Sequence, residues 1–236
     1  MVSVVLATLN ERENLPLLLD RLWRVPLPPF EVLIVDDGST DGTREFLRST
    51  AAAEPRLRPI WHEGKQTTLR AQCQGIAESR GRFVFVMDAD LQHPPEVLAE
   101  MLRALEEGAT LVVGSRYARG GSAGARDAVR ATISRGAEIT AKIFLAEARP
   151  LTDPVSGLFG FRREIFQPLD RAWRGYKLLL FLLVMARGTS VTEVGFRFEP
   201  RGSGASKVTQ NTRFIRYFLT ELLLARRLET SLARRR

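Results

Sequence analysis

Cysteine is nearly absent: Cys73 is the only one in 236 residues, and histidine occurs twice, as His62 and His93. One thiol cannot close an internal disulfide, which fits a reducing compartment, and Cys73 is expected to pack in a core helix. Without a Cys/His cluster the chain has no ligand set for zinc, and the two histidines read as packing or capping residues. Long apolar runs are missing too. The longest, Leu178 to Ala186, is about half of what a membrane-spanning helix needs. Met1 leads straight into Val2-Ser3-Val4-Val5-Leu6 with no basic segment ahead of an apolar stretch, so no signal peptide is expected and the chain should stay in the cytoplasm. There is no internal repeat and no low-complexity tract.

The hydrophobic share of 44% and charged share of 26% belong to a folded globular domain, and the length suits one α/β core with an appendage. The net charge of +8 is uneven: from Lys207 to Arg236 eight Lys and Arg stand against two Glu, so +6 of it lies in that tail. The tail has too few aromatic positions on which bases would stack, and no nucleic-acid partner is expected.

Strand-like runs Val2-Leu6, Glu31-Val35, Phe83-Met87 and Leu111-Val113 alternate with turns and helical patterns. That order predicts an α/β fold, a mostly parallel sheet with helices on both faces. Leu15, Leu18, Leu19, Leu22 and Trp23 recur at helical spacing between Glu13 and Arg24, and Pro94-Pro95 opens a helix to Glu107 that Gly108 stops. Ser115 to Arg126, rich in Gly, Arg and Ser, reads as a mobile lid ahead of a helix from about Ala128 to Leu145. A second glycine-containing loop, Arg201 to Lys207, precedes the last helix.

In parallel sheets ligands sit at the carboxyl ends of strands, and two of these strands end in acidic clusters. Asp88-Ala89-Asp90-Leu91-Gln92 places two carboxylates two residues apart, able to project to one side and share a hard divalent cation, Mg or Mn, with Gln92 as a third oxygen. Turn formation would account for one Asp; it does not account for the pair plus Gln. Asp36-Asp37-Gly38-Ser39-Thr40-Asp41-Gly42-Thr43 puts Asp37 where it can hydrogen-bond a base or ribose, although the same residues also make an ordinary turn and N-cap.

With these blocks stand Thr8-Leu9-Asn10-Glu11-Arg12-Glu13-Asn14-Leu15, His93-Pro94-Pro95-Glu96, Gly114-Ser115-Arg116-Tyr117, Ile133-Ser134-Arg135-Gly136, Thr152-Asp153-Pro154-Val155-Ser156-Gly157, Gly175-Tyr176-Lys177 and Arg201-Gly202-Ser203-Gly204-Ala205-Ser206-Lys207. In this order they resemble the family 2 glycosyltransferases of GT-A fold, and within them the dolichol- or polyprenol-phosphate mannose synthases. The resemblance implies a nucleotide-sugar donor, GDP-mannose, against Ala7, Leu9, Glu11, Val35 and Asp37, with its diphosphate on a metal at Asp88, Asp90 and Gln92 beside Ala89. It implies further that Arg201 and Lys207 clamp phosphates and that Arg116, Arg130 and Ser134 hold a polyprenyl or dolichyl phosphate acceptor, with Lys177 nearby and Asp153 lining the sugar pocket. Asp90, Arg116, Arg130 and Ser134 would carry the transfer. The chain departs from the family where Pro and Tyr are usual, having Ala7 and Leu9. Gln66-Thr67-Thr68-Leu69-Arg70 replaces a glycine-rich stretch, and Phe181 replaces a common acidic residue. UDP-glucose as donor, a saccharide acceptor, and a non-catalytic membrane-binding module therefore stay open.

A helix from Asn211 to Glu229 would set Phe214, Ile215, Phe218, Leu219 and Leu222 on one broad face with Arg216, Thr220 and Arg227 opposite. Residues 211–236 then read as a basic amphipathic appendage to a catalytic domain of residues 1–210. It would either lie on an anionic bilayer or dock on the core. A long polyprenyl acceptor, once implied, favours the membrane surface, on the cytoplasmic face, and leaves room for a membrane-embedded partner protein.

Overall fold

Period-two alternation in the strands divides the molecule. In β1 (Val2–Thr8), Val5 points to one face of the sheet while Val4 and Leu6 point to the other; in β2 (Phe30–Asp36), Leu33 and Val35 oppose Val32 and Ile34. Both sets are buried, because helices cover both faces. This is a computed structural model that describes residues 1–62, 64, 66–124, 128–169, 175–203 and 213–233; the side chains of 128–130 and 213–214 lie outside that description.

The remaining strands are β3 (Leu57–Trp61), β4 (Phe83–Asp88), β5 (Leu111–Ser115), β6 (Phe159–Arg162) and β7 (Val191–Gly195), and the sheet runs β3-β2-β1-β4-β6-β5-β7. Only β6 is antiparallel to its neighbours. All four expected strands are present. Three more were not anticipated: β3, whose Pro59 is tolerated on an edge strand, β6, and the half-buried edge β7. At Gly160 in β6 a side chain would fall 2.3 Å from the Phe85 ring, so glycine lets this strand pass over the core.

On one face lie α1 (Leu15–Arg24), α2 (Thr43–Ala53) and α4 (Leu98–Glu106), the last entered through a 3-10 turn at Pro95–Val97. Their Leu15, Leu18, Leu22, Leu47, Leu98, Met101 and Leu105 fill that core. Gly108 follows α4 with φ 118, a conformation glycine adopts without strain. The opposite face carries α3 (Thr68–Glu78), α5 (Ala128–Phe144), α6 (Leu178–Met185) and α7 (Arg213–Ala233). Cys73, on α3, packs against this core. The long apolar run is α6, buried from Leu178 to Val184, which is why it is apolar all round. Among the described residues no helix is long and apolar enough to cross a membrane.

Helix α7 packs on α5 and α6. The broad apolar face read from the sequence is divided: Phe218, Leu222 and Ala225 are buried in the core, whereas Ile215, Leu219 and Leu223 stay 61%, 42% and 51% exposed. Glu221 and Glu229 turn inward with the first group. The segment expected as a lid is, up to residue 124, tied to the chain after β7: Ser122 bridges Arg197, and the Phe198 amide donates to the Ser122 carbonyl at 2.7 Å.

Candidate active site

Parallel pairing brings the carboxyl ends of β1, β2 and β4 to one edge, with Ala7 in register between Val35 and Asp88. There a cleft of about 430 Å³ opens, lined by Ala7, Leu9, Glu11, Asp37, Asp88, Ala89, Asp90, Gln92, Lys177 and Arg201. It also takes in residues that the sequence had not singled out for ligand contact: Gln66, Thr67, Thr68, Ala71 and Gln72 at the start of α3, Ser156 and Phe159, and Tyr217 from α7. These come from segments far apart in the chain, which the fold brings to one edge.

Asp88 sits at the cleft floor with its side chain still 45% exposed. It has room because residue 157 is glycine: a Cβ there would lie 2.8 Å from Asp88 Oδ2 and 3.0 Å from the His93 ring. The surrounding protein pushes the Asp88 carboxyl up from its ordinary value, while the charges of Lys177 and Arg201 pull it down. Asp90 is shifted up as well, first by burial and then by the charge of Asp88. Its Oδ1 accepts the Gln92 amide at 3.1 Å and its Oδ2 an Arg201 N–H at 2.6 Å. Between them Leu91 takes φ 68, a left-handed conformation costing about 1–2 kcal/mol for such a residue. His93 is packed between Phe196 and Phe198, and its Nδ1 accepts the Asp88 N–H at 3.2 Å. Burial holds it down at about 4, so it is neutral near pH 7 and serves as a brace for Asp88.

Arg201 spans two acids, reaching Asp90 and, at 3.5 Å, Glu11, whose other oxygen accepts from Asn14 at 2.6 Å. Asp37 Oδ1 accepts the Gln66 amide at 2.7 Å and faces His62 Nδ1 at 3.1 Å. The loops after β1 and β2 are laced together at Asn10, in the left-handed region with φ 53, whose Oδ1 accepts the Thr40 amide. Lys177 donates from Nζ to the Val155 carbonyl at 2.5 Å, and burial followed by the charge of Arg116 lowers its pKa.

Other expected site residues lie outside the cleft lining. Val35 is fully buried in the core, so its side chain is not available to a nucleotide. Arg116 is gripped by Asp153 through its backbone amide at 3.2 Å and through Nε and Nη2, each at 2.7 Å. Asp153, expected in a sugar pocket, has no exposed surface. Burial works against the Arg116 charge, but the Asp153 hydrogen bonds and charge overcome it and raise the pKa. Glu193 in turn accepts from the Thr152 and Asp153 amides. Ser134 donates to Glu138 at 3.2 Å, and Glu138 lies 3.7 Å from Arg116, so two expected acceptor residues share one buried carboxylate. The Arg130 side chain and Lys207 lie outside the described residues. Among the described residues no three His, Cys, Asp or Glu side chains converge to hold a metal; the acids of the cleft are Glu11, Asp37, Asp88 and Asp90, with Gln92 beside the last of them.

The model for "Glycosyl transferase family 2" matches residues 3–169. The chain is 36% identical over 214 residues to the dolichol-phosphate mannosyltransferase of Pyrococcus furiosus, covering 90% of this chain but spanning only 60% of that protein's length. It is 34% identical over 215 residues to the polyprenol monophosphomannose synthase of Mycolicibacterium smegmatis, covering 87% and 80%. Glucosyl-3-phosphoglycerate synthase of Mycobacterium tuberculosis, solved with Mn²⁺, UDP-glucose and phosphoglyceric acid, superposes with TM-score 0.73 at 21% identity over 96% of this chain and 79% of that one. At that identity the likeness speaks for the fold. A parallel sheet with paired carboxylates at its ligand edge, a family match over most of the sequence and relatives above 30% identity agree: this chain belongs to glycosyl transferase family 2 and has its GT-A fold.

Proposed function

We propose that the chain is a dolichyl- or polyprenyl-phosphate β-mannosyltransferase, moving mannose from GDP-mannose to a lipid phosphate with inversion. The observation that carries this reading is the state of the carboxylates. A hydroxyl acceptor needs a base, and among the described residues the cleft's acids are Glu11, Asp37, Asp88 and Asp90. Glu11 is engaged by Asn14 and Arg201 and Asp37 by Gln66 and His62, while Asp153, the remaining candidate, is consumed by Arg116. A phosphate monoester is already an anion at neutral pH and needs no base. Its oxygen attacks the anomeric carbon as the bond to the GDP phosphate breaks, so an α-linked donor yields a β-linked mannosyl phosphate and GDP leaves. The names of the relatives point to the same acceptor class.

Asp88, Asp90 and Gln92 would hold a Mg or Mn ion. The fit rests on hard oxygens, on the open face of Asp88 and on the space left by Gly157; two carboxylates leave most coordination positions to diphosphate and water. Such an ion, when bound, neutralises charge on the departing diphosphate. Arg201 and Lys177 add positive charge to the same cleft, and with Ala7, Leu9, Glu11, Asp37, Ala89 and Lys207 they form the donor site of this reading. Arg116, Ser134 and Arg130 are assigned to the lipid-phosphate site; Arg116 and Ser134 meet at Glu138, and Asp153 fixes the Arg116 guanidinium in place. The exposed Ile133, Ile139 and Ile143 of α5 and Ile215, Leu219 and Leu223 of α7 lie on packed neighbouring helices; we assign them, with Arg216 and Arg227, to a peripheral contact with the cytoplasmic face of a membrane.

The test is transfer of radiolabelled sugar from GDP-mannose, UDP-glucose and UDP-N-acetylglucosamine, each with polyprenyl phosphate and manganese, into organic-extractable lipid. Label from GDP-mannose alone is expected, and Asp90→Ala should abolish it without unfolding the chain. Label from a uridine donor would change the donor, an outcome that Ala7 and Leu9 keep in view. No label from any donor would overturn the reading.

A further inference from the structure

Helix α7 carries an acid that packing alone does not require. Glu221 has no exposed surface, and an apolar side chain of its size would fill the site without the cost of burying a carboxyl. Its Oε1 accepts two backbone N–H groups, from Tyr176 at 3.1 Å and Lys177 at 3.2 Å, while Oε2 has no hydrogen-bond partner among the described residues. Residue 175 must be glycine for this contact: a Cβ there would lie 2.5 Å from the Glu221 carboxyl. The same short segment is held from the other side, where the Leu69 amide of α3 donates to the Gly175 carbonyl at 3.0 Å. Gly175, Tyr176 and Lys177 all line the cleft, and so does Tyr217, one turn before Glu221 on α7.

We propose that Glu221 is a positioning residue for Lys177: by clamping the two amides at the entry to α6 it fixes where the Lys177 ammonium stands over the cleft, and it makes the seating of α7 a condition for a competent donor site. The geometry explains why an acid is buried here, why residue 175 is glycine, and why α7 stays registered against the cleft. The inference rests on the transferase reading above only for its kinetic test.

Two measurements decide it. Amide hydrogen exchange at Tyr176 and Lys177 should be slow in the wild-type chain, slow in Glu221→Gln, which keeps an acceptor oxygen, and fast in Glu221→Ala at a temperature well below its melt. Equal protection in Glu221→Ala and wild type would overturn the clamp whatever the chain catalyses. In the transfer assay Glu221→Ala should lower kcat by about tenfold to a hundredfold with a small change in KM, and Glu221→Gln should recover most of it. In the Lys177→Met background, adding Glu221→Ala should cost less than about twofold, since the group it positions is already gone. Additive losses in that double variant would assign Glu221 a purely structural role and overturn the proposal. A wild-type chain that transfers nothing would sink the transferase reading, and the exchange experiment would still decide the clamp.

Discussion

Removing the Asp153 carboxylate is the sharpest test of how Arg116 is held. The carboxylate accepts three N–H groups of one residue, with both side chains inside the protein at 0% and 11% exposure. Asp153→Ala leaves the guanidinium with Glu138 as its ion-pair partner at 3.7 Å, a contact too long for a hydrogen bond. Breaking a buried pair in this way costs about 3–5 kcal/mol, and at roughly 2–4 °C per kcal/mol for a chain of this size the melting temperature should fall by about 6–20 °C. Asp153→Asn keeps the shape and one acceptor oxygen, so it should cost about half as much. Urea melts of Asp153→Ala, Arg116→Met and the double variant supply the coupling directly: each single change strands a buried charge, and the double should be less destabilised than their sum by about 1–3 kcal/mol. If Asp153→Ala lies within about 1 kcal/mol of wild type, the pair is not a buried load, and Asp153 returns to the sugar pocket that the sequence had suggested for it.

Gly157→Ala should displace the Asp88 carboxylate, because its Cβ would lie 2.8 Å from Oδ2. Manganese-dependent transfer should drop about tenfold to a hundredfold, and calorimetry should show weaker manganese binding; unchanged manganese affinity would refute the role of that space. Replacing Ile215, Leu219 and Leu223 together by Ser should weaken binding to phosphatidylserine vesicles about tenfold or more while the melt stays put, since all three are exposed. Deleting α7 would be a poorer test, as it also strips Phe218, Leu222 and Ala225 from the core, and unchanged vesicle binding by the Ser variant would reassign the stripe. Burial raises the Glu221 carboxyl from 4.5 to about 7, against the opposing Lys177 amide and charge. A raised folded-state value contributes stability fully below about pH 4.5 and loses it as pH rises through about 7, so wild type should lose roughly 3 kcal/mol relative to Glu221→Gln across that window. A stability difference that does not change with pH would refute the shift.

The parts of this protein legible in its residues are those whose physics is local. Apolar runs ending in Asp36-Asp37 and Asp88-Ala89-Asp90 announced a parallel sheet with a ligand edge, Leu spacing announced α1, and Pro94-Pro95 and Gly108 marked the start and stop of the helix that contains α4, because strand alternation, helical periodicity and turn chemistry all act within a few residues. The edge strands β3 and β7 and the reversed β6 were illegible: a proline, a half-polar pattern and a glycine each weaken the local signal, and pairing partners supply what is missing. Long-range contacts were beyond reach for the same reason. Nothing near Asp153 in the chain says that Arg116 will claim it, nothing near Val35 says that its side chain faces the core, and no periodicity tells Phe218 from Leu219 or sends Glu221 inward to two backbone amides. Composition and local pattern decide which chemistry is available and at which strand ends it stands. Which of those charges face the cleft and which are spent on one another depends on distances in space, and these follow from the packing of the whole chain.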